Sequence, residues 1–368
     1  MANLYQYIID YIKNTSELLL FLWALSAVFA LTITGLILYL KYLRVRLKTK
    51  ERIQKVYQKK YESNLIEYLY SGDEDAEISI EQQKIIDFLE KNSMDGLKRK
   101  LIITTLLKLR NEISGETADA IQRLYYQTGL INYASSKLKH KKWDVVARAI
   151  KELTQFEIKE VHSEIILLIN HPKKEVRNET QMYLVKLFHF EGLDFLNVLT
   201  TPLSEWNQIQ LLEILQNFID QEIPDITKWL ESSNNSVVIF ALKLAKIYNQ
   251  FEAKDAIINL LNHSDITIRI EAIDVLSNLG VTEAIPILKN DFYNRSIEEQ
   301  IAFFKMMENT YENTDTPFIL QFIDHENFEI RVSVMKILKV LNVDMYNTFK
   351  TTTNQEYSKK NNLIKASN

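Results

Sequence analysis

One pattern of apolar residues returns every 30 or 31 residues along most of this chain, and it constrains the fold more than any other feature. Its clearest copy is the stretch 265–279, DITIRIEAIDVLSNL. Self-similarity at a period of 20–50 residues is typical of a solenoid, in which each repeat stacks on the next. With Ala272 as the reference, the equivalent positions are Ala149, Thr180, Leu211, Ala241, Phe303 and Val334.

Two further apolar rows accompany the reference row, four and seven residues later. Residues three and four apart share one face of a helix, so the rows predict one amphipathic helix per repeat. The row at plus four is Leu153, Leu184, Leu215, Ala245, Leu276, Met307 and Leu338; the row at plus seven is Phe156, Leu187, Phe218, Tyr248, Leu279, Thr310 and Leu341.

A second, shorter apolar segment at helical spacing fits inside each period, for example AKDAIINLL at 253–261. The whole chain holds only 7 glycines and 5 prolines, which leaves few helix breakers. These patterns predict an all-α protein built as an α-solenoid of helix pairs.

The repeats resemble the HEAT family in a proline, a polar turn residue about eight positions later, and then an apolar residue followed by arginine. Pro317, His325, Ile330 and Arg331 follow this order, as do His263, Ile268 and Arg269 with Ala272, and His171, Val176 and Arg177. The resemblance covers about 138–345, seven repeats, and is weaker at 203–231 and 290–323, where Gln208 and Gln300 replace the arginine.

The resemblance implies a HEAT-type solenoid of about seven to nine helix pairs over 138–350, with a helical cap or degenerate repeats at 78–137. It also implies a structural role for Arg177, Arg269 and Arg331, as bridges to turn carbonyls or carboxylates of the adjacent repeat. The family's turn residue is usually Asp, which here is replaced at every repeat by His140, His171, Pro202, Ser232, His263, Asn294 and His325.

The segment 18–40 is 23 residues long and has no charged residue. As a helix it would extend about 34 Å, enough to cross a bilayer core of about 30 Å. A cleaved signal peptide is the alternative, but its positive charge would precede the apolar run, whereas here it follows. The sequence therefore predicts one retained transmembrane helix.

Basic residues follow this segment directly, whereas Lys13 is the only one before it. The positive-inside rule then predicts a single-pass protein of the cytoplasmic membrane, with residues 1–17 outside and the solenoid in the cytoplasm. The same residues are candidates for contact with anionic lipid headgroups: Lys41, Arg44, Arg46, Lys48, Lys50 and Arg52.

Residues 41–77 are predicted to form a basic juxtamembrane helix followed by an acidic loop. The helical part reads equally as a stalk, a short coiled coil or the first helix of the domain. Helices are expected at 79–92, 96–112 and 116–139. Residues 351–368 are polar and aperiodic and are expected to form a disordered tail.

No pattern in the sequence indicates a reaction. A Gly-rich phosphate loop, G-x-S-x-G, H-E-x-x-H and EF-hand motifs are all missing, and there is no cysteine. His140, His171, His263 and His325 occupy equivalent repeat positions about 10 Å or more apart, too far to share a zinc ion. We therefore expect no enzyme activity, no cofactor and no metal site, and a capping or turn role for these histidines.

The remaining candidates lie on the surface. Two residues after each reference position, the arginine-bearing helices should present a row of alternating charge that suits a protein partner; Trp143, Trp206 and Trp229, at repeat starts, are expected to pack between repeats. The candidate partner-binding row is Lys151, Met182, Glu213, Lys243, Asp274, Lys305 and Lys336.

These features together favour a membrane-tethered scaffold that binds a membrane-associated protein. The resemblance to single-pass bacterial HEAT proteins extends this to work beside an envelope enzyme, such as a polysaccharide glycosyltransferase, or a signalling complex. The alternatives are a lipid- or nucleic-acid-binding protein that uses the basic segments 41–60 and 137–142, and a lyase-like HEAT enzyme. Nucleic acid is not an expected partner, because residues 71–368 carry a net charge of −9 and phosphate binding relies on Lys and Arg.

Overall fold

The computed structural model describes residues 16–71, 78–112, 115–218, 221, 223–341 and 346–347. All regular structure in these ranges is helical. Most of the predicted segment 1–17, the loop at 72–77 and the tail at 351–368 lie outside the described residues. The chain forms two compact units, Met1–Tyr133 and Ala134–Asn368, so the boundary falls four residues before the predicted one.

The first unit is built around one very long helix. This helix, α1, has 54 residues, which corresponds to a length of about 81 Å. Three shorter helices follow it, and a fourth crosses the boundary between the units. The elements are α1 Glu17–Tyr70, α2 Ile80–Ser93, α3 Gly96–Glu112, α4 Glu116–Gln127 and α5 Leu130–Lys137.

The C-terminal end of α1 belongs to this unit's core, which agrees for that part of 41–70 with the prediction of a first helix of the domain. Tyr61, Leu65 and Tyr68 are buried where α1 packs against α2, α3 and α4. The Tyr68 hydroxyl donates to Gln127 Oε1 at 2.9 Å, and Lys108 Nζ lies 3.2 Å from a Glu62 carboxylate oxygen. Residues 41–56 instead run free of this core and are almost all exposed.

The predicted helix at 116–139 is wrong in one respect, because the structure divides it in two. The α4 helix ends at Gln127, and Gly129 has a φ of +67° before α5 begins at Leu130. Glycine adopts this left-handed conformation without the steric cost that a β-carbon brings. The other two helices, α2 and α3, begin within a residue of the predicted positions.

The second unit alternates long and short helices. Its long helices begin at 143, 174, 205, 235, 266, 297 and 328, steps of 30 or 31 residues that match the period of the sequence. The elements are α6 Trp143–Gln155, α7 His162–Ile165, α8 Lys174–Phe188, α9 Glu205–Leu215, α10 Thr227–Leu230, α11 Asn235–Ile247, α12 Lys254–Asn259, α13 Ile266–Leu279, α14 Ala284–Asn290, α15 Ile297–Thr310, α16 Thr316–Leu320 and α17 Phe328–Leu341.

The short segments are less regular than a paired helix would be. Several are wholly or partly 3₁₀ turns: Glu191–Asn197 takes the place of an α-helix, and Leu260–Asn262 continues α12. A 3₁₀ turn is tighter than an α-helical turn and rarely runs longer than a few residues. The second helix of each predicted pair therefore exists in most periods as one or two turns.

The apolar rows form the core of this unit. All seven residues of the reference row and all seven of the row at plus four are buried. In the row at plus seven only Phe156 and Leu187 are buried, and the others are partly exposed. The reference row and the row at plus four therefore form the core between the long helices, and the row at plus seven lies at its edge.

Consecutive long helices pack side by side from α6 to α9 and from α11 to α17, whereas α9 and α11 approach each other less closely. Side-chain hydrogen bonds join residues about one period apart: Asn207 Nδ2 donates to Asn178 Oδ1 at 2.6 Å and to Gln181 Oε1 at 2.8 Å. Asn235 Nδ2 donates to Asp265 Oδ2 at 2.7 Å. These bonds fix which residues of neighbouring helices stand next to each other.

Candidate interaction surfaces

The apolar stretch of α1 is exposed throughout. Every residue from Phe21 to Leu40 is exposed, including Trp23, Phe29 and Leu31. Water-exposed apolar side chains on this scale are costly for a soluble helix. The helix is long and apolar enough to cross a membrane, and none of its apolar window is buried in the protein.

The six predicted membrane-surface residues follow this stretch on the same unbroken helix. All six are exposed, and none forms an ion pair within the described part of the chain. The first ion pair along α1 joins Lys55 and Glu51, at 3.6 Å. The six basic side chains therefore keep their charges available to an anionic surface: Lys41, Arg44, Arg46, Lys48, Lys50 and Arg52.

The predicted partner-binding row is on the surface of the long helices. Lys151, Glu213, Asp274, Lys305 and Lys336 are exposed, and Met182 and Lys243 are partly exposed. Because one member comes from each long helix, the row crosses the second unit from α6 to α17.

Several members of this row link neighbouring helices. Lys243 Nζ donates to Gln208 Oε1 at 2.9 Å, and Lys305 Nζ lies 2.9 Å from Glu329 Oε2. Asp274 pairs with Lys246, and Lys336 with Glu308. Exposed pairs of this kind contribute about 0–1 kcal/mol each, so a partner can exchange them at little cost.

Two carboxyls beside this row are partly withdrawn from water. Burial raises the pKa of Glu271, Asp274 adds to the rise, and Lys243 opposes it. Burial likewise raises the pKa of Glu179, against the pull of Lys151. The row is therefore flanked by acidic groups whose charged form is disfavoured by their position between helices.

The recurrent histidines fill turns, as predicted. Nδ1 of His140, His171, His263 and His325 accepts a hydrogen bond from the backbone N–H two residues later, at 3.0–3.1 Å. An Asp or Asn side chain makes the same bond in an Asx turn. These four histidines thus make the turn bond that an Asp side chain makes elsewhere. No group of three or more potential metal ligands occurs among the described residues.

The recurrent arginines act mainly within their own repeat, which corrects the predicted bridge to the adjacent one. Arg177 Nη1 donates to the carbonyls of His171 and Pro172, at 2.8 and 3.1 Å. Arg331 makes the equivalent bonds to His325 and Glu326. Among these three arginines only Arg269 also reaches a carboxylate one period away, that of Glu299.

Glu299 is the centre of a buried ion-pair network. It accepts from Arg269 Nε at 2.7 Å and Nη2 at 3.0 Å, and Arg295 Nη1 lies 3.2 Å from it. Burial acts to raise the pKa of this carboxyl, but hydrogen bonds from Arg269 and Ser296 outweigh it and lower the pKa to about 2.

Arg295 is buried and also lines an open cleft of about 610 Å³ with Pro286, Asn290 and Asp291. Its guanidinium donates to the Leu261 carbonyl at 3.0 Å and pairs with Glu299. The guanidinium of Arg295 therefore has its partners inside the protein and stabilises the fold.

The prediction that the tryptophans pack between repeats is right for one residue only. Trp229 is buried, and its indole N–H donates to Asn197 Oδ1 at 3.0 Å. Trp206 is 66% exposed and Trp143 is 41% exposed. Both lie in the first turn of a long helix, on the side away from the core, so their rings are exposed to solvent.

A second recurrent row on the surface was missed by the sequence prediction. It lies two residues before the reference position, on the side of each helix away from the core. Ile209 is 54% exposed, and the other members are partly exposed. The signal was present in the sequence as β-branched aliphatic residues 30 or 31 apart: Ile209, Ile239, Ile270, Ile301 and Val332.

Comparisons with known proteins assign no family. No family model and no curated protein matches the chain. Among solved structures, an engineered protein matches with a TM-score of 0.34 and 13% identity, over 76% of this chain and 88% of its own. Human deoxyhypusine hydroxylase in complex with glycerol matches with a TM-score of 0.29 and 15% identity, over 70% of this chain and 96% of its own. At these TM-scores neither likeness carries an inference about function.

Proposed function

We propose that this protein is a membrane-tethered scaffold, in which a HEAT-type α-solenoid over about 138–350 binds another membrane-associated protein. The observation that carries the proposal is the set of long helices that begin 30 or 31 residues apart and present one exposed or partly exposed residue each in a recurrent row. Such a surface is extended and repetitive, which suits an elongated protein partner.

Residues 18–40 of α1 anchor this scaffold in the cytoplasmic membrane. The exposed apolar stretch and the basic residues after it support an external amino end and a cytoplasmic solenoid. A tether confines the scaffold to the membrane surface and so raises its effective concentration near membrane partners.

The orientation is testable by cysteine labelling, since the native chain has no cysteine. Ser16→Cys precedes α1, and Tyr70→Cys, at an 86% exposed position, lies at its other end. We expect a membrane-impermeant maleimide to label Ser16→Cys in intact cells and Tyr70→Cys only after lysis. Labelling in the reverse order would overturn the orientation.

The scaffold itself is tested by in-cell cross-linking of the full chain, purification from membranes and mass spectrometry. We expect one dominant protein that is lost when Lys243 and Lys305 are changed together to Glu. The matched control changes Lys141 and Lys228, which are exposed outside the row, to Glu. Failure to enrich any protein would reject the scaffold.

Lipid binding by the juxtamembrane residues is a second candidate, favoured by their exposed and unpaired charges. Each basic residue near an anionic surface contributes about 1 kcal/mol. Residues 41–368 should then bind phosphatidylserine vesicles at low salt and lose binding when Lys41, Arg44 and Arg46 become Gln. Equal binding to neutral vesicles would exclude it, and stronger binding to DNA than to vesicles would point to nucleic acid instead.

A further inference from the structure

The surface row Ile209, Ile239, Ile270, Ile301 and Val332, the aliphatic row, has a second apolar residue beside every member except Ile239. Ile266, Ile297 and Phe328 precede members of the row by four residues on the same helices, and four residues is close to one helical turn. These three are 38%, 38% and 69% exposed. On α9, exposed Trp206 stands three residues before Ile209. We call these residues, together with the aliphatic row, the aliphatic band.

A row of alternating charge runs beside the aliphatic band. It lies four residues after the aliphatic row on each helix, so the two rows are one helical turn apart. From α9 to α17 its signs are negative, positive, negative, positive and positive, contributed by Glu213, Lys243, Asp274, Lys305 and Lys336.

We propose that the aliphatic band binds one amphipathic α-helix of a partner protein, laid across the long helices from α9 to α17. The helix carries apolar residues at heptad spacing and, beside them, charges in the order positive, negative, positive, negative and negative. This inference rests on the proposed scaffold function and names its binding face and the chemistry of its partner.

The spacing of the aliphatic band fits a helix. Packed helices lie about 8–10 Å apart, so from α11 to α17, where consecutive long helices pack together, the band offers an apolar contact at that interval. Seven residues of a ligand helix rise about 10.5 Å and return to the same face. A β-strand covers the interval in about three residues, and alternate side chains then face away from the surface. A ligand helix with two adjacent apolar rows also matches the band, which is two residues wide on α9, α13, α15 and α17.

Charge disfavours a second copy of this chain that covers the whole charged row. In a two-fold symmetric dimer with its axis at α13, the charged row would face its own reverse. Glu213 would then attract Lys336, but Lys243 would oppose Lys305 and Asp274 would oppose its own equivalent, so three of the five steps would join like charges. Like charges held opposite each other suppress a wrong partner. A ligand helix with the opposite order of charges instead meets an unlike charge at every step.

A designed peptide tests the inference directly with full-length protein in lipid nanodiscs. The probe is a fluorescent helix of about 35 residues, which spans five heptads, with Leu at the apolar positions and the stated charge order. Its control has the same composition with Lys and Glu exchanged. We expect the matched peptide to bind at least tenfold more tightly than the exchanged one by fluorescence anisotropy, with no binding to empty nanodiscs.

The face is tested with Ile270→Glu combined with Ile301→Glu, both at partly exposed positions. We expect at least a tenfold loss of affinity for the matched peptide and an unchanged melting temperature. Leu167→Glu, at an 81% exposed apolar position outside the band, should leave the affinity unchanged. Equal binding of both peptides, or equal losses in both variants, would overturn the inference.

A photo-cross-linking residue placed at 270 or 301 in cells separates this inference from the scaffold itself. Capture of an amphipathic helical segment of another protein at both positions supports the inference. A partner that cross-links to the full chain but not at these positions would agree with the scaffold function and would reject the aliphatic band as its binding face. Cross-links to a second copy of this chain would reject the proposal that the band binds a different protein. Failure to capture any protein would reject the scaffold function as well.

Discussion

At the scale of single residues, the tightest constraint is at Gly192, in the 3₁₀ turn that packs on α8. A β-carbon added there would lie 2.2 Å from the Leu184 carbonyl oxygen and 2.6 Å from its carbon. Both atoms belong to the backbone, so no side-chain rotation relieves the clash. The close approach of the two backbones therefore leaves no room for a β-carbon at residue 192.

We predict that Gly192→Ala destabilises the protein by about 1–3 kcal/mol, the usual cost of overpacking. Thermal unfolding followed by circular dichroism measures the loss. Gly96→Ala is the control, because its β-carbon would meet only a flexible guanidinium at 3.8 Å. Equal melting temperatures for Gly192→Ala and the native protein would show that the two segments are not in contact.

The Glu299 carboxyl has a folded-state pKa of about 2, below its ordinary value of 4.5. A lowered acidic pKa stabilises the fold above pH 4.5, and this contribution is lost as the pH falls from about 4.5 to about 2. The shift corresponds to at most about 3 kcal/mol. Burial raises the pKa of Glu271, which acts with the opposite sign.

We therefore predict that Glu299→Gln loses about 3 kcal/mol at pH 7, because it removes the carboxylate nearest to buried Arg295 and the carboxylate partner of partly exposed Arg269. Urea unfolding between pH 7 and pH 2 gives the free energy of unfolding of each protein, and the values for the native protein and the variant should converge below pH 4. A constant difference between the two curves across this range would contradict the assignment.

At the scale of elements, five of the seven long helices carry a side-chain donor that bonds to the preceding turn, and this donor need not be arginine; Val146 and Val238 stand at the position in the other two. Gln208 Nε2 donates to the Leu203 carbonyl at 3.1 Å, and Gln300 Nε2 to the Arg295 carbonyl at 3.0 Å. Arg177 makes the equivalent bond to Pro172, five residues back. The repeats in which glutamine replaces arginine therefore keep the same link between turn and helix.

This equivalence predicts that Arg177→Gln is tolerated, whereas Arg177→Leu costs about 1–2 kcal/mol more, because the leucine leaves the turn carbonyls without a donor. Chemical unfolding of the two variants side by side gives the difference. If both variants were equally unstable, the guanidinium charge rather than the hydrogen bond would be the stabilising feature.

At the scale of the whole molecule, the second unit depends on contacts between neighbouring helices. Leu276 is fully buried in the row at plus four, and α13 packs against both α11 and α15. In such an arrangement the stability of each repeat depends on its neighbours. A defect in one long helix should therefore spread to the helices beside it.

We predict that Leu276→Asp, which buries a charge without a partner, unfolds α13 together with α11 and α15. Hydrogen exchange should show lost protection in all three helices and retained protection in α2 and α3. Asn278→Asp, at an exposed position of the same helix, is the control. Loss of protection confined to α13 would show that the helices unfold independently.

Local sequence patterns were enough to predict the helical class, the period, the two core rows and the uncharged apolar segment. Each of these depends on local periodicity, because a residue's place on a helix follows from its spacing to its neighbours. The starts of the long helices and the turn role of the four histidines follow from the same register. The aliphatic row was equally visible as a 30- or 31-residue repeat, but its meaning depends on exposure.

Only the tertiary structure decided which long-range partners each side chain meets. It divided the predicted helix at 116–139, exposed Trp206, and directed Arg177 to its own turn. It also placed Glu299 between Arg269 and Arg295, which no spacing in the sequence indicates. Such contacts depend on how neighbouring helices rotate and slide in packing, and helical periodicity does not encode either quantity.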